Sequence, residues 1–343
     1  MSKTKRTALV VAPGRGVYNA AELGYFHHHH ESRLNLLSGF DAQRAERDQT
    51  SLAELDGAER FTLSKFTRGD NASGLIYACS YADYLAIDRE AFDIVAVTGN
   101  SMGWYTALAC GGALDGDQGF EVVNTMGTIM QEDLIGGQLI YPFVDGDWRE
   151  IPGKREELLA LVKDIPDLHV SIRLGGMLVL AGMELALKEA ESRLPLIQDR
   201  YPMRLANHAA FHTPLLEGNS ARGKSALPPS LFGQPETPMI DGRGHVWLSK
   251  ATPIETLWDY TFGEQVTQTY DFTRAVITGL HEFAPDVVIL LGPGTTLGGA
   301  TAQAMIECEW GGLTSKADFI ARQKEDPLIL SMGMDDQRKD VIA

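Results

Sequence analysis

Ser101 lies in Gly99-Asn100-Ser101-Met102-Gly103, a G-x-S-x-G set between an apolar run, Ile94 to Val97, and a stretch of small and apolar residues that begins near Trp104. Strand, sharp turn and helix in that order predict a nucleophile elbow. The serine is held in strained backbone, and glycines flank it because a Cβ at either position would clash. Its hydroxyl then stands over the sheet, and the helix N-terminus behind it favours negative charge that develops there. A serine nucleophile needs a base. The histidines are His27 to His30, His169, His208, His212, His245 and His281. Spacing does not choose among them, but His212 follows a predicted strand in a small-residue context with Pro214 behind it, and His208 is the nearest competitor.

Two other stretches invite chemistry. Pro13-Gly14-Arg15-Gly16 follows the apolar run Thr7 to Ala12, yet it lacks both G-x-G-x-x-G and Gly-Lys-Ser/Thr. It reads as a loop that aims a backbone N–H at an oxyanion rather than as a nucleotide site. In Tyr25-Phe26-His27-His28-His29-His30-Glu31 only His27 and His30 would share a helical face. With one nearby carboxylate and no second cluster, the stretch reads as a solvated helical face, and no metal is expected.

The elements that must position these residues alternate between strand and helix. At 343 residues the chain exceeds the usual single-domain size, so a large core carrying a smaller insertion is expected. Ala72 to Ile87 has helical spacing, as do Phe120 to Leu134 and Gln265 to Leu280, whereas Asp286 to Leu291 is a buried parallel-type strand. Between them, residues 135–205 read as strand, helix, strand, strand, helix, strand, the order of a ferredoxin-like module. The fold class is therefore α/β: an α/β-hydrolase-like core with a mostly parallel sheet (residues 1–134 and 206–343) and an inserted ferredoxin-like small subdomain. The tail after Cys308 is expected to be peripheral and partly mobile.

A formal charge of −16 argues against nucleic-acid or anionic-membrane partners. Three scattered cysteines suit reduced thiols, and no targeting or membrane segment is visible, so a cytoplasmic protein is expected.

At the elbow the sequence resembles a known family. Gly99-Asn100-Ser101-Met102-Gly103-Trp104-Tyr105-Thr106-Ala107-Leu108 is similar to the G-H-S-x-G-E-Y-x-A-L of malonyl-CoA:acyl-carrier-protein transacylases and the acyltransferase domains of polyketide and fatty-acid synthases. Ala210-Phe211-His212-Thr213-Pro214-Leu215 resembles that family's A-F-H-S/T-P-L-M, Pro13-Gly14-Arg15-Gly16 its P-G-Q-G, and Gly292-Pro293-Gly294-Thr295-Thr296-Leu297 its G-P-G-x-x-L. The resemblance spans roughly residues 7 to 305. It implies a ping-pong transfer in which Ser101 takes an acyl group from acyl-CoA, with His212 as base, and passes it to the phosphopantetheine thiol of an acyl carrier protein. Acyl-CoA and carrier protein are substrates, and no cofactor is implied. The resemblance further implies that Met102 and Arg15 supply oxyanion N–H groups and that Gln268 orients the histidine through a backbone carbonyl.

The sequence departs from the family pattern where the acyl group would bind. Met126 replaces the arginine that grips a malonyl carboxylate, Asn100 replaces the histidine before the serine, and Trp104 replaces the glutamate after the second glycine. Burying a carboxylate there without a partner would cost several kcal/mol, so an uncharged acyl group is expected. Arg173 or Arg15 could supply a relocated grip. The alternatives are a thioester hydrolase using the same Ser101 and His212, and a non-catalytic partner that docks carrier protein. Arg173, Arg204 and Arg222 are candidates for a local basic patch facing that carrier.

Overall fold

The computed structural model describes residues 5–343. Its strands, in chain order, are β1 (Arg6–Ala12), β2 (Phe92–Gly99), β3 (Gly137–Pro142), β4 (Leu168–Leu174), β5 (Met177–Gly182), β6 (Met203–Arg204), β7 (Met239–Ile240), β8 (Val246–Trp247), β9 (Tyr270–Asp271), β10 (Val287–Leu290) and β11 (Ile329–Ser331). Two sheets form among the described residues. The larger runs β11-β10-β1-β2-β7-β8 and is parallel except for β8. Ala8 to Ala12 at its centre are all buried, which is why β1 reads as an unbroken apolar run: helices cover both faces.

The smaller sheet runs β6-β3-β5-β4-β9. Helices Lys154–Asp164 and Glu184–Arg193 connect its strands and enclose a separate apolar cluster that includes Leu139, Tyr141, Leu158, Leu180 and Leu187. One strand comes from outside 135–205: β9 pairs parallel with β4, joining Ile172 to Tyr270 and Arg173 to Asp271. This strand also breaks the helix expected over Gln265 to Leu280. A short helix, Glu264–Thr267, ends at Gln268, and after β9 a second helix, Phe272–Phe283, starts with the Asp271 side chain accepting from the Arg274 N–H. Apolar spacing carried no sign of the break, because Val266, Tyr270 and Phe272 are buried on either side of it.

The helix Lys316–Glu325 buries none of its residues, as expected of a peripheral tail, but from Leu328 onward the tail is not peripheral. β11 extends the main sheet beside β10, and Met332, Arg338 and Val341 are buried. Arg338 reaches Asp83 at 2.7 Å, and the same carboxylate accepts from His30 Nε2 (2.8 Å), the Tyr25 hydroxyl (2.8 Å) and the Gly292 N–H (2.7 Å). Burial by itself would raise the pKa of Asp83, but the His30 hydrogen bond and the Arg338 charge outweigh it and hold the carboxyl below its ordinary value. The histidine run is a solvated face only in part, since His27 and His28 are exposed. His30 is fully buried in this network, and His27 Nδ1 lies 2.7 Å from the buried Asp56 carboxylate. Among the described residues no cluster of His, Cys, Asp or Glu suits a metal ion, and no helix is long and apolar enough to cross a membrane.

Removing one member of a buried ion pair leaves the other charged and desolvated. Asp83→Ala is therefore expected to lower unfolding free energy by about 3–5 kcal/mol, measured by urea denaturation, against a change within about 0.5 kcal/mol for the exposed Asp336→Ala.

Candidate active site

β2 ends at Gly99, Ser101 adopts a left-handed backbone (φ 56°), and the helix Gly103–Cys110 begins two residues later. The glycine spacing has a direct steric cause. A Cβ on Gly99 would run into the Gly103 backbone, and one on Gly103 would meet the carbonyl oxygens of Ala12 and Pro13, the latter at 2.8 Å. Gly14 packs equally close, since its Cβ would lie 2.7 Å from the Asn100 oxygen and 3.4 Å from the Ser101 Cβ. The loop after β1 is thus pressed against the elbow. Neither the Met102 nor the Arg15 backbone N–H has a protein acceptor among the described residues.

His212 Nε2 lies 2.7 Å from Ser101 Oγ. Its Nδ1 lies 2.6 Å from the Gln265 carbonyl oxygen, which can only accept, so Nδ1 carries the proton and Nε2 presents a lone pair to the serine hydroxyl. The structure places Gln265, not Gln268, in this role; Gln268 is exposed, and its N–H closes the short helix onto Glu264. Burial pulls the His212 pKa down to about 4, opposed by the Gln265 bond, so the imidazole is neutral at pH 7. His208 is not against the serine: its Nδ1 bonds Gln138 Oε1 at 2.7 Å.

Three residues that sequence reasoning passed over complete the frame. Gln265 also donates from Nε2 to the Ser101 carbonyl (3.0 Å) and accepts from the Tyr105 hydroxyl (3.1 Å), so one residue clamps both members of the pair. Tyr270 donates to the Gly99 carbonyl at 2.6 Å, and its ring lies 5.3 Å from the His212 ring, centroid to centroid. Tyr105 was visible only as part of the motif, and Gln265 was hidden by reading the following residues as one continuous helix.

A narrow cavity opens on Ser101 and His212. Tyr105, Val123, Met126, Met130, Phe211 and Val266 give it apolar walls, and Arg15 is the one charged side chain among its described lining residues. Met126 fits because its sulfur packs on Gly223, where a Cβ would lie 2.7 Å away. Trp104 is not in the wall. It is fully buried beneath the elbow, donating to Thr261 Oγ1 at 3.1 Å. Arg173 is also elsewhere, in a different cleft, 3.6 Å from Asp271. Asn100 lies beside Gly14, off the wall, with its buried Oδ1 unpartnered among the described residues. Arg15 donates from Nη2 to the carbonyls of Thr67 (2.6 Å) and Asn207 (3.0 Å), while its buried Nε has no partner among the described residues. Burial brings its pKa down to about 10 against the opposing charge of Asp70.

No protein-family model and no curated protein matches this sequence. Solved structures do. Malonyl-CoA:ACP transacylase from Synechocystis matches over 98% of this chain and 100% of its own, with a TM-score of 0.73 at 16% identity. The chain has the transacylase fold. The transacylases of Xanthomonas oryzae (TM-score 0.74, 17% identity, 98% of each chain) and Helicobacter pylori (TM-score 0.72, 18% identity, 98% of this chain and 97% of that one) agree over the same extent. At such identities the transacylase fold is shared while most side chains differ, so the chemistry must be argued from this chain's own site.

A base works in its neutral form, so a His212 pKa near 4 moves the acid limb of serine reactivity well below the usual histidine range. Labelling of Ser101 by a fluorophosphonate is expected to stay level from about pH 8 to about pH 5 and to fall to half at about pH 4, read by intact-protein mass spectrometry.

Proposed function

We propose that the protein is an acyltransferase that carries an acyl group from a CoA thioester to the phosphopantetheine thiol of an acyl carrier protein, in the cytoplasm, within fatty-acid or polyketide biosynthesis. The observation that carries this reading is the Ser101–His212 pair at 2.7 Å, oriented by a backbone carbonyl and opening on an apolar cavity within the transacylase fold. Ser101 Oγ attacks the thioester carbonyl as His212 Nε2 takes its proton. The Met102 and Arg15 N–H groups receive the oxyanion, each such donor being worth about 3 kcal/mol. Collapse expels the CoA thiolate, which takes the proton back from His212, and the carrier thiol then repeats the sequence on the acyl-serine ester.

The walls at Met126, Met130 and Val123 favour an uncharged acyl group. One observation favours a second reading of the acyl group. Arg15 reaches the cavity with an unpartnered Nε, and such a cation suits a short acyl chain bearing a free carboxylate. The three arginines expected to face the carrier each have acidic neighbours: Arg204 pairs with Glu184 and Glu191, Arg222 with Glu132 and Asp133, and Arg173 with Asp271.

Mass spectrometry of the intact protein after exposure to acetyl-, butyryl- and malonyl-CoA tests the proposal. A covalent acyl adduct is expected on the wild type and none on Ser101→Ala, with His212→Ala slowed by at least about 10³-fold. Faster loading by acetyl or butyryl supports the uncharged group; faster malonyl loading that Arg15→Met removes supports the second reading. Adding phosphopantetheinylated carrier is expected to discharge the adduct onto it. Discharge to free acid at the same rate without carrier would make the protein a hydrolase instead.

A further inference from the structure

A buried chain of hydrogen bonds joins the small sheet to the peptide that precedes His212. It starts at His208, whose Nδ1 donates to Gln138 Oε1 at 2.7 Å. Gln138 Nε2 donates to Ser171 Oγ at 2.6 Å, and Ser171 Oγ donates to the Phe211 carbonyl at 2.7 Å. The direction is unambiguous, because the amide and peptide oxygens at its two ends can only accept. Gln138 and Ser171 are both buried, on β3 and β4. The chain therefore leaves the 208–211 segment, crosses two strands of the small sheet and returns to the same segment three residues on.

Ser171 occupies an unusual place in its strand. Val170 pairs with Leu180 and Ile172 with Val179, so Ser171 is the extra residue of a β-bulge. Bulges re-aim a side chain, and this one directs a hydroxyl at the Phe211 carbonyl. That carbonyl belongs to the peptide whose other end is the His212 nitrogen, and His212 stands in left-handed backbone (φ 59°). A side chain is kept in that region only where its surroundings hold it there.

We propose that Ser171, oriented by Gln138 and His208, is a positioning residue for His212, and that the small sheet thereby sets the aim of the base at Ser101. Gln138 matters because its donated hydrogen occupies a lone pair of Ser171 Oγ and turns the hydroxyl proton towards Phe211. The inference rests on the proposed role of the Ser101–His212 pair.

Two readouts test it: the rate of fluorophosphonate labelling at Ser101, and the rate and half-saturation of acyl-enzyme formation. Ser171→Ala is expected to slow both reactions roughly five- to tenfold, with the half-saturating thioester concentration unchanged. Ser171→Thr, which keeps a hydroxyl, restores the rate. Gln138→Met, which leaves the Ser171 hydroxyl present but unguided, gives a smaller fall. Wild-type labelling in Ser171→Ala, or a loss that appears only as weaker thioester binding, overturns the inference. Should Ser171→Ala not fold, wild-type labelling in Gln138→Met overturns it. Labelling that depends on Ser171 in a protein that no thioester acylates would sink acyl transfer and leave the positioning role standing. No labelling of the wild type would sink both.

Discussion

Two side chains in left-handed backbone, Ser101 and His212, must face each other across 2.7 Å although 111 residues separate them. Neither conformation is comfortable for a residue with a Cβ, and each is held from several sides. At the serine, Gly99 and Gly103 permit a turn that any larger residue would obstruct, Tyr270 holds the Gly99 carbonyl and Gln265 holds the carbonyl of Ser101 itself. At the histidine, the Gln265 carbonyl accepts a hydrogen bond from Nδ1–H, and the Ser171 hydroxyl donates to the carbonyl of the preceding residue. The main sheet supplies the glycine turn, the small sheet supplies Tyr270 from its borrowed strand β9 and Ser171 from β4, and the short helix between them supplies Gln265 to both.

The choice of a carbonyl as the partner of Nδ1 has an electrostatic effect. A carboxylate there would stabilise the imidazolium and raise the pKa, as a neighbouring negative charge does. A neutral acceptor fixes the same tautomer without that charge, so burial dominates and the imidazole stays neutral. The imidazole is thus neutral over a wide pH range but only weakly basic.

Much of this was legible from residue types in order. The buried run of β1, the strand-turn-helix around Ser101 and the βαββαβ order of residues 137–204 follow from hydrophobic period and glycine placement, which are local signals. What escaped was non-local. Whether Trp104 or Tyr105 faces the cavity depends on how the helix Gly103–Cys110 is rotated against its neighbours, and Trp104 went to the core because its indole N–H found Thr261. Gln265 and Gln268 are one short helical turn apart, and only the break at β9 decides which carbonyl meets the histidine. Arg338 looked like a charged tail residue because its partner, Asp83, is 255 positions away in the sequence.

The order of strands in the main sheet bears on how the chain is made. β1 is central, yet beside β2 its other neighbour is β10, and β10 in turn waits for β11. Chains emerge from the ribosome N-terminus first, so Leu9, Val10 and Val11 present an unpaired apolar edge until residues 287–290 have been synthesised. At about 5–20 residues per second, that interval lasts on the order of half a minute. Buried Asp83 waits longer still for its cation. A sheet closed by its last-made strands leaves the nascent protein dependent on whatever shields that edge, a vulnerability of biosynthesis that the finished molecule no longer displays.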